Sequence, residues 1–192
     1  MPCDPLPEFA PRRTFRASLA ILGIRATCRD GMVGRMRAEL VGCGQCGRRN
    51  RLPACGRGIP RCGNCRTPLP WVTDAADDDF AEIAYGSTIT VLVHVWAPWC
   101  PVCLRANRAL RRLARMLAGQ LKLVTVDVAR APGLRRRLVI ESVPTLMVLR
   151  GPEIAAYHAG APPEPSLRHW LEQARGNVAT FAAPVRSVPA AG

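Results

Sequence analysis

The sequence predicts an α/β fold, a central mixed sheet flanked by helices, preceded by a small cysteine-stapled module. Three observations carry this. From residue 71 to 176, apolar runs and helical patterns follow one another in the order β-α-β-α-β-β-α. Residues 40–70 are rich in Gly, Pro, Cys and Arg, with little to bury, so they cannot fold on apolar burial alone. Six of the nine cysteines form three C-x-x-C pairs, two in this first region and one in the second.

The elements are expected in the following order. Residues 1–39 have no clean periodicity and read as a basic, disordered extension. Within them, Pro11-Arg12-Arg13-Thr14-Phe15-Arg16 faintly resembles a twin-arginine export signal. The apolar stretch behind it is short, however, and ends at Arg25. Residues 40–70 form the stapled module. Thr73 is expected to cap a short helix from Asp77 to Ala84, with Asp77, Asp78 and Asp79 at its positive end. Thr88 to Trp96 reads as a buried strand and Pro101 to Leu117 as a helix with Leu110, Leu113 and Leu117 on one face. Leu121 to Asp127 is a second strand, and Gly133 to Leu138 a short helix behind Pro132. Thr145–Leu149 and Ile154–His158 are strands about the turn Arg150-Gly151-Pro152, and Pro165–Arg175 is the last helix. Residues 177–192 read as a loose tail.

Composition narrows the classes. Of 192 residues, 48% are hydrophobic, which excludes wholesale disorder. No run approaches the roughly 18 apolar residues of a membrane span, so no membrane partner is expected. The net charge of +13 would suit an anionic partner, but every basic residue except Lys122 is Arg. A GC-rich coding sequence leaves the same skew, so the charge is discounted as evidence for nucleic acid. The odd cysteine count argues against a closed disulfide framework, and the paired spacing suits metal and redox chemistry in a reducing, cytoplasmic setting.

Cys43-Gly44-Gln45-Cys46 is followed after 15 residues by Cys62-Gly63-Asn64-Cys65. Two residues between ligands let both sulfurs of a knuckle face one point, and two knuckles complete a closed tetrahedron. The expectation is a structural zinc ribbon at 40–70, its ligands Cys43, Cys46, Cys62 and Cys65. The rival reading is a pair of redox dithiols. Cys55, between the knuckles, is expected to be a free thiol, with competition as a metal ligand as the alternative. The ribbon arginines could grip nucleic acid, but no aromatic residue is there to stack on a base, so that partner is disfavoured.

Cys100-Pro101-Val102-Cys103 lies between a strand and a helix. At the helix N-cap, unpaired N–H groups and the positive helix end favour a thiolate at Cys100, the attacking species in disulfide exchange. Cys103, one turn further in, is placed to resolve the mixed disulfide. The run W-A-P-W-C-x-x-C at 96–103, with Ser142-Val143-Pro144-Thr145 about 40 residues on, resembles thioredoxin over roughly 74–175. With the ribbon and Arg49-Asn50-Arg51-Leu52-Pro53 included, residues 40–175 resemble the zinc-containing thioredoxin 2 type of bacteria. The resemblance implies a thioredoxin fold over 71–176, protein-disulfide reduction, and thioredoxin reductase as electron donor. It also implies a cis-proline at Pro144 facing the dithiol. Val143 would then offer its backbone to extended substrates, with Trp99 as an apolar collar.

Three departures from the family pattern matter. Pro101-Val102 replaces the usual Gly-Pro, which predicts a more oxidising couple. His94 stands where a buried Asp is usual, and either relays the resolving cysteine's proton or is merely a core residue. Arg105 follows the dithiol and either supports the Cys100 thiolate or belongs to a solvated face. Two alternatives stay open: an oxidase or isomerase, and a zinc-dependent redox switch or binding module.

Overall fold

The computed structural model describes residues 38–176. The extension expected at 1–39 and the tail at 177–192 therefore lie outside the described residues, except for Ala38 and Glu39. Two strands, β1 (Glu39–Gly42) and β2 (Arg49–Leu52), form an antiparallel hairpin. Strand β1 thus begins one residue inside the stretch expected to be extension.

The larger sheet has the order β3-β5-β4-β6-β7, built from β3 (Trp71–Ala75), β4 (Thr90–Trp96), β5 (Leu121–Asp127), β6 (Thr145–Arg150) and β7 (Glu153–Ala159). The first three run parallel, and β6 and β7 add antiparallel partners, so the sheet is mixed as expected. Helices α1 (Pro101–Met116) and α3 (Glu164–Gly176) cover one face through Leu110, Leu113, Leu167 and Leu171. Helix α2 (Pro132–Arg137) and a wide helical turn at Ala81–Tyr85 cover the other through Leu134, Phe80 and Ile83. Burial on both faces explains why β4 and β5 read as continuous apolar runs.

The helix expected from Asp77 to Ala84 is a turn at 77–79 followed by the helical turn Ala81–Tyr85, and its expected cap is wrong. Thr73 caps no helix, because it sits inside β3, paired with Val124 of β5. Of the acidic triplet, Asp77 does serve a helix N-terminus, but a distant one. The Asp77 carboxylate accepts from the backbone amides of Gly133 (2.8 Å) and Leu134, in the first turn of α2. A Cβ at Gly133 would fall 2.9 Å from that carboxylate, so the cap needs glycine there.

The stapled module packs directly on the larger sheet. The turn before β5 passes so close that a Cβ on Gly119 would meet Ile59 and Pro68 at 3.0 Å, and Gly119 also has φ +81. The Trp71 indole N–H donates to the Pro53 carbonyl (3.0 Å). Lys122, fully buried on β5, donates to the carbonyls of Ala54 (2.8 Å) and Ile83 (2.6 Å), and its ammonium lies 4.0 Å from the centre of the Trp71 ring.

Burial pushes the Lys122 ammonium down to about 7, against the pull of two carbonyls and the ring face. Between that value and the ordinary lysine range the unfolded chain holds the extra proton, so this group makes stability rise with pH above neutrality. Lys122→Met should flatten that slope, by about 1.4 kcal/mol per pH unit at most. Denaturant titrations of both proteins between neutral and mildly alkaline pH test this, and parallel curves would exclude it.

Candidate active site and metal centre

Strand β4 ends at Trp96, and the chain turns through Pro98 and Trp99 into α1. Cys100 is the N-cap of α1, with extended backbone angles (φ −98, ψ 103), and Pro101 takes the first helical position, where a missing N–H costs nothing. The Cys100 sulfur accepts from the Cys103 amide at 3.1 Å. The two sulfurs are joined in a disulfide, Cα to Cα 5.2 Å. Cys103 is fully buried, Cys100 is partly exposed, and Trp99 beside it is 67% exposed. Val102 and Leu104 add further exposed apolar surface.

The Val143–Pro144 peptide bond is cis. The Val143 carbonyl oxygen lies 4.0 Å from the Cys100 sulfur, so the structure brings Cys100, Cys103, Val143 and Pro144 together. Two contacts hold this loop. The Thr145 hydroxyl donates to the Ser142 carbonyl (2.7 Å), and the Gly160 amide donates to the Pro144 carbonyl (2.7 Å).

His94 is completely buried on β4, between Thr125 of β5 and Leu146 of β6. By strand alternation it shares a face with Leu92, which packs under α1. Neither ring nitrogen has a hydrogen-bond partner among the described residues. Burial, with a smaller contribution from Arg111, pushes its imidazolium down to about 4. The ring is therefore neutral at pH 7.

Arg105 is exposed on α1. Trp96 is half-buried and borders a cavity of about 520 Å³ that sequence reasoning missed. Glu39, Asp74, Asp79, Asp127, Arg111 and Arg130 are among its walls. The Thr125 hydroxyl donates to Asp74 there, and Arg111 pairs with Glu39 at 3.5 Å.

A chain with a dithiol at a strand–helix junction facing a cis-proline invites comparison with known proteins. The family model for thioredoxin matches residues 71–173. The chain belongs to the thioredoxin family. Thioredoxin of Haemophilus influenzae is 31% identical over 97 residues, covering 50% of this chain and 91% of that protein. Thioredoxin of Synechocystis sp. is 32% identical over 104 residues, covering 54% and 94%. Thioredoxin 1 of Nostoc sp. is 32% identical over 97 residues, covering 50% and 91%. The four-cysteine module lies outside the part matched to the thioredoxin family model.

That module brings four candidate ligand atoms together ahead of the thioredoxin domain. The sulfurs of Cys43, Cys46, Cys62 and Cys65 all lie within 4.8 Å of one another. Cys43–Cys65 and Cys46–Cys62 are 3.5 and 3.6 Å apart. A tetrahedral zinc with bonds of about 2.3 Å requires edges of about 3.8 Å, so the donor set fits a metal of this size and preference.

Backbone amides of Cys65 and Asn64 pull the Cys62 thiol down to about 6. Cys43, despite amides from Cys46 and Gln45, is pushed up to about 11 by burial and the neighbouring sulfurs. Four thiolates at such distances repel one another unless a cation sits among them.

Asn50 joins the two knuckles. It donates to the Arg48 carbonyl (2.8 Å), approaches the Cys62 sulfur (3.7 Å), and accepts from the Gly63 amide (2.9 Å). Sequence reasoning singled it out only within a family motif. Cys55, expected to be free, is buried and disulfide-bonded instead.

Proposed function

We propose that the protein is a cytoplasmic protein-disulfide reductase of the zinc-containing thioredoxin 2 type, with thioredoxin reductase as its electron donor. The observation that carries this reading is the asymmetry of the dithiol. One sulfur is reachable at a helix N-terminus, its partner is buried one turn deeper, and a backbone carbonyl lies beside the reachable one.

In the reduced protein, the Cys100 thiolate attacks one sulfur of a substrate disulfide, and the other sulfur leaves as a thiolate that takes up a proton. The substrate is then held on Cys100 as a mixed disulfide. Its extended backbone lies along Val143, whose main chain supplies strand-like hydrogen bonds, with Trp99 and Pro144 forming apolar walls. The Cys103 thiolate attacks the Cys100 sulfur, the intramolecular disulfide closes, and the second substrate thiol departs. Two electrons pass from the dithiol to the substrate. The metal bound by Cys43, Cys46, Cys62 and Cys65 would be a structural zinc supplying folding energy alone, since four protein ligands leave no open position.

Reduction of insulin disulfides, with thioredoxin reductase and NADPH regenerating the dithiol, tests the reading. Absence of turnover with a fully reduced dithiol would refute it. The oxidase alternative rests on Pro101-Val102 between the cysteines. The couple is expected to be more oxidising than the roughly −270 mV of thioredoxin, and a glutathione equilibrium giving that value or lower would reject this.

His94 is assigned as the residue that helps Cys103 lose its proton. A buried neutral imidazole with unpartnered nitrogens is costly, by about 1–3 kcal/mol, which suits a group kept for function. His94→Leu should therefore slow release of the mixed disulfide, on the order of tenfold, and also stabilise the fold. The native imidazole binds its proton less readily than the unfolded one. Wild-type stability therefore falls as pH drops from about 6.5 towards 4 by about 3 kcal/mol, and His94→Leu lacks this loss. If His94→Leu turns over as fast as the wild type across pH 6–8, His94 is a core residue only.

A further inference from the structure

The two knuckles repeat each other bond for bond. In the first, the Gly47 amide donates to the Cys43 carbonyl (2.9 Å) and the Cys43 amide to the Arg48 carbonyl (2.9 Å). In the second, the Arg66 amide donates to the Cys62 carbonyl (3.1 Å) and the Cys62 amide to the Thr67 carbonyl (2.9 Å). Both turns need a left-handed residue after the second cysteine. Gly47 (φ +73) meets that need without strain, whereas the second knuckle uses Arg66 at φ +63. Arg61 then donates to the Arg66 carbonyl at 3.1 Å, which keeps two guanidinium-bearing residues side by side. A folding requirement alone would select glycine or asparagine at 66, so the strain points to a use for the charge.

The surroundings fit that use. Arg48, Arg49, Arg51, Arg57, Arg61 and Arg66 are all exposed, residues 40–70 contain no carboxylate, and none of these arginines is in an ion pair among the described residues. On the hairpin, Arg51 lies directly opposite Leu40, which is 58% exposed, and Arg49 opposite Gly42, all on one face.

We propose that the four-cysteine module is a docking face for an acidic, partly apolar protein segment, with the left-handed Arg66 and its neighbour Arg61 as its anchor and the Arg49–Arg51–Leu40 face beside it. A protein partner fits better than a nucleic acid. No aromatic side chain lies in 40–70 for bases to stack on, while Leu40 offers apolar surface that a phosphate backbone would leave uncovered. None of these residues belongs to the dithiol, so the inference stands apart from the reductase reading.

Fluorescence anisotropy on the full zinc-loaded protein tests it, with a labelled Glu/Leu-rich peptide, its Gln/Leu counterpart and a single-stranded DNA oligonucleotide of equal charge. The acidic peptide should bind in preference to both, and more weakly as salt rises. The double variant Arg61→Gln/Arg66→Gly should weaken it about fivefold. Arg66→Gly alone should leave zinc content unchanged and should not lower thermal stability, because glycine relieves the left-handed position. Equal binding of the Glu and Gln peptides, indifference to the double variant, or tighter binding of the DNA would each overturn the proposal.

Discussion

Cys103→Ser should convert the protein from a catalyst into a trap. Cys100 is the reachable sulfur, so the variant should still attack a substrate disulfide, but nothing would then displace the product from Cys100. The mixed disulfide should accumulate to about one substrate per chain, visible as a mass increase reversed by dithiothreitol. Cys100→Ser should instead lose exchange by on the order of a thousandfold or more, with no adduct. Its fold should survive, because Ser is itself a favoured N-cap and can accept the amide bond that Cys103 now gives to sulfur. In the reduced wild type, alkylation at neutral pH should label Cys100 before the fully buried Cys103. Adduct formation through Cys103 in the Cys100 variant, or faster alkylation of Cys103, would reverse the assigned order and with it the mechanism.

The dithiol was legible because its physics is local. An N-cap, a proline in the first helical position and a cysteine one turn on are all set within a few residues. The strands β4 and β5 were legible for a similar reason, since burial on both faces writes an unbroken apolar run. What was missed depends on distant partners. Asp77 looks like a cap for its own neighbourhood, yet it caps a helix more than fifty residues away. Strand β3 is short, carries Thr73 and Asp74, and exists because β5 offers it a parallel edge. Lys122 did leave a signal, as the only lysine and a charge amid an apolar run. Its partners, the Ala54 and Ile83 carbonyls, are backbone groups that sequence cannot point to. The cis bond before Pro144 entered only through family resemblance, because no local rule chooses cis over trans there.

If the four cysteines hold the proposed zinc, removing it should unfold the module and spare the thioredoxin domain. Among the described residues, the module's own buried cluster is Cys43, Leu52, Cys62 and Leu69, with Val41 and Cys65 at its margin, so half of its members are candidate ligands. Without a cation, the close-set sulfurs and six unpaired arginines oppose compaction. Zinc bound to small four-ligand modules supplies about 10–16 kcal/mol, far more than such a core can replace. The five-stranded sheet has two large apolar clusters, to which the module contributes only Ala54 and Cys55, and needs no such aid. Trypsin makes the difference visible, since it cleaves after arginine and Arg48, Arg49, Arg51, Arg61 and Arg66 all lie in the module. The zinc-loaded protein should resist cleavage there, while the chelator-treated protein should be cut between 48 and 66 and keep an intact fragment carrying the dithiol. That fragment should still reduce insulin. Cys62→Ser should mimic the chelator, with zinc content falling from one per chain to near zero. If the chelated protein resists trypsin as well as the loaded one, packing through Lys122, Trp71 and Gly119 holds the module, and the metal is dispensable for its fold.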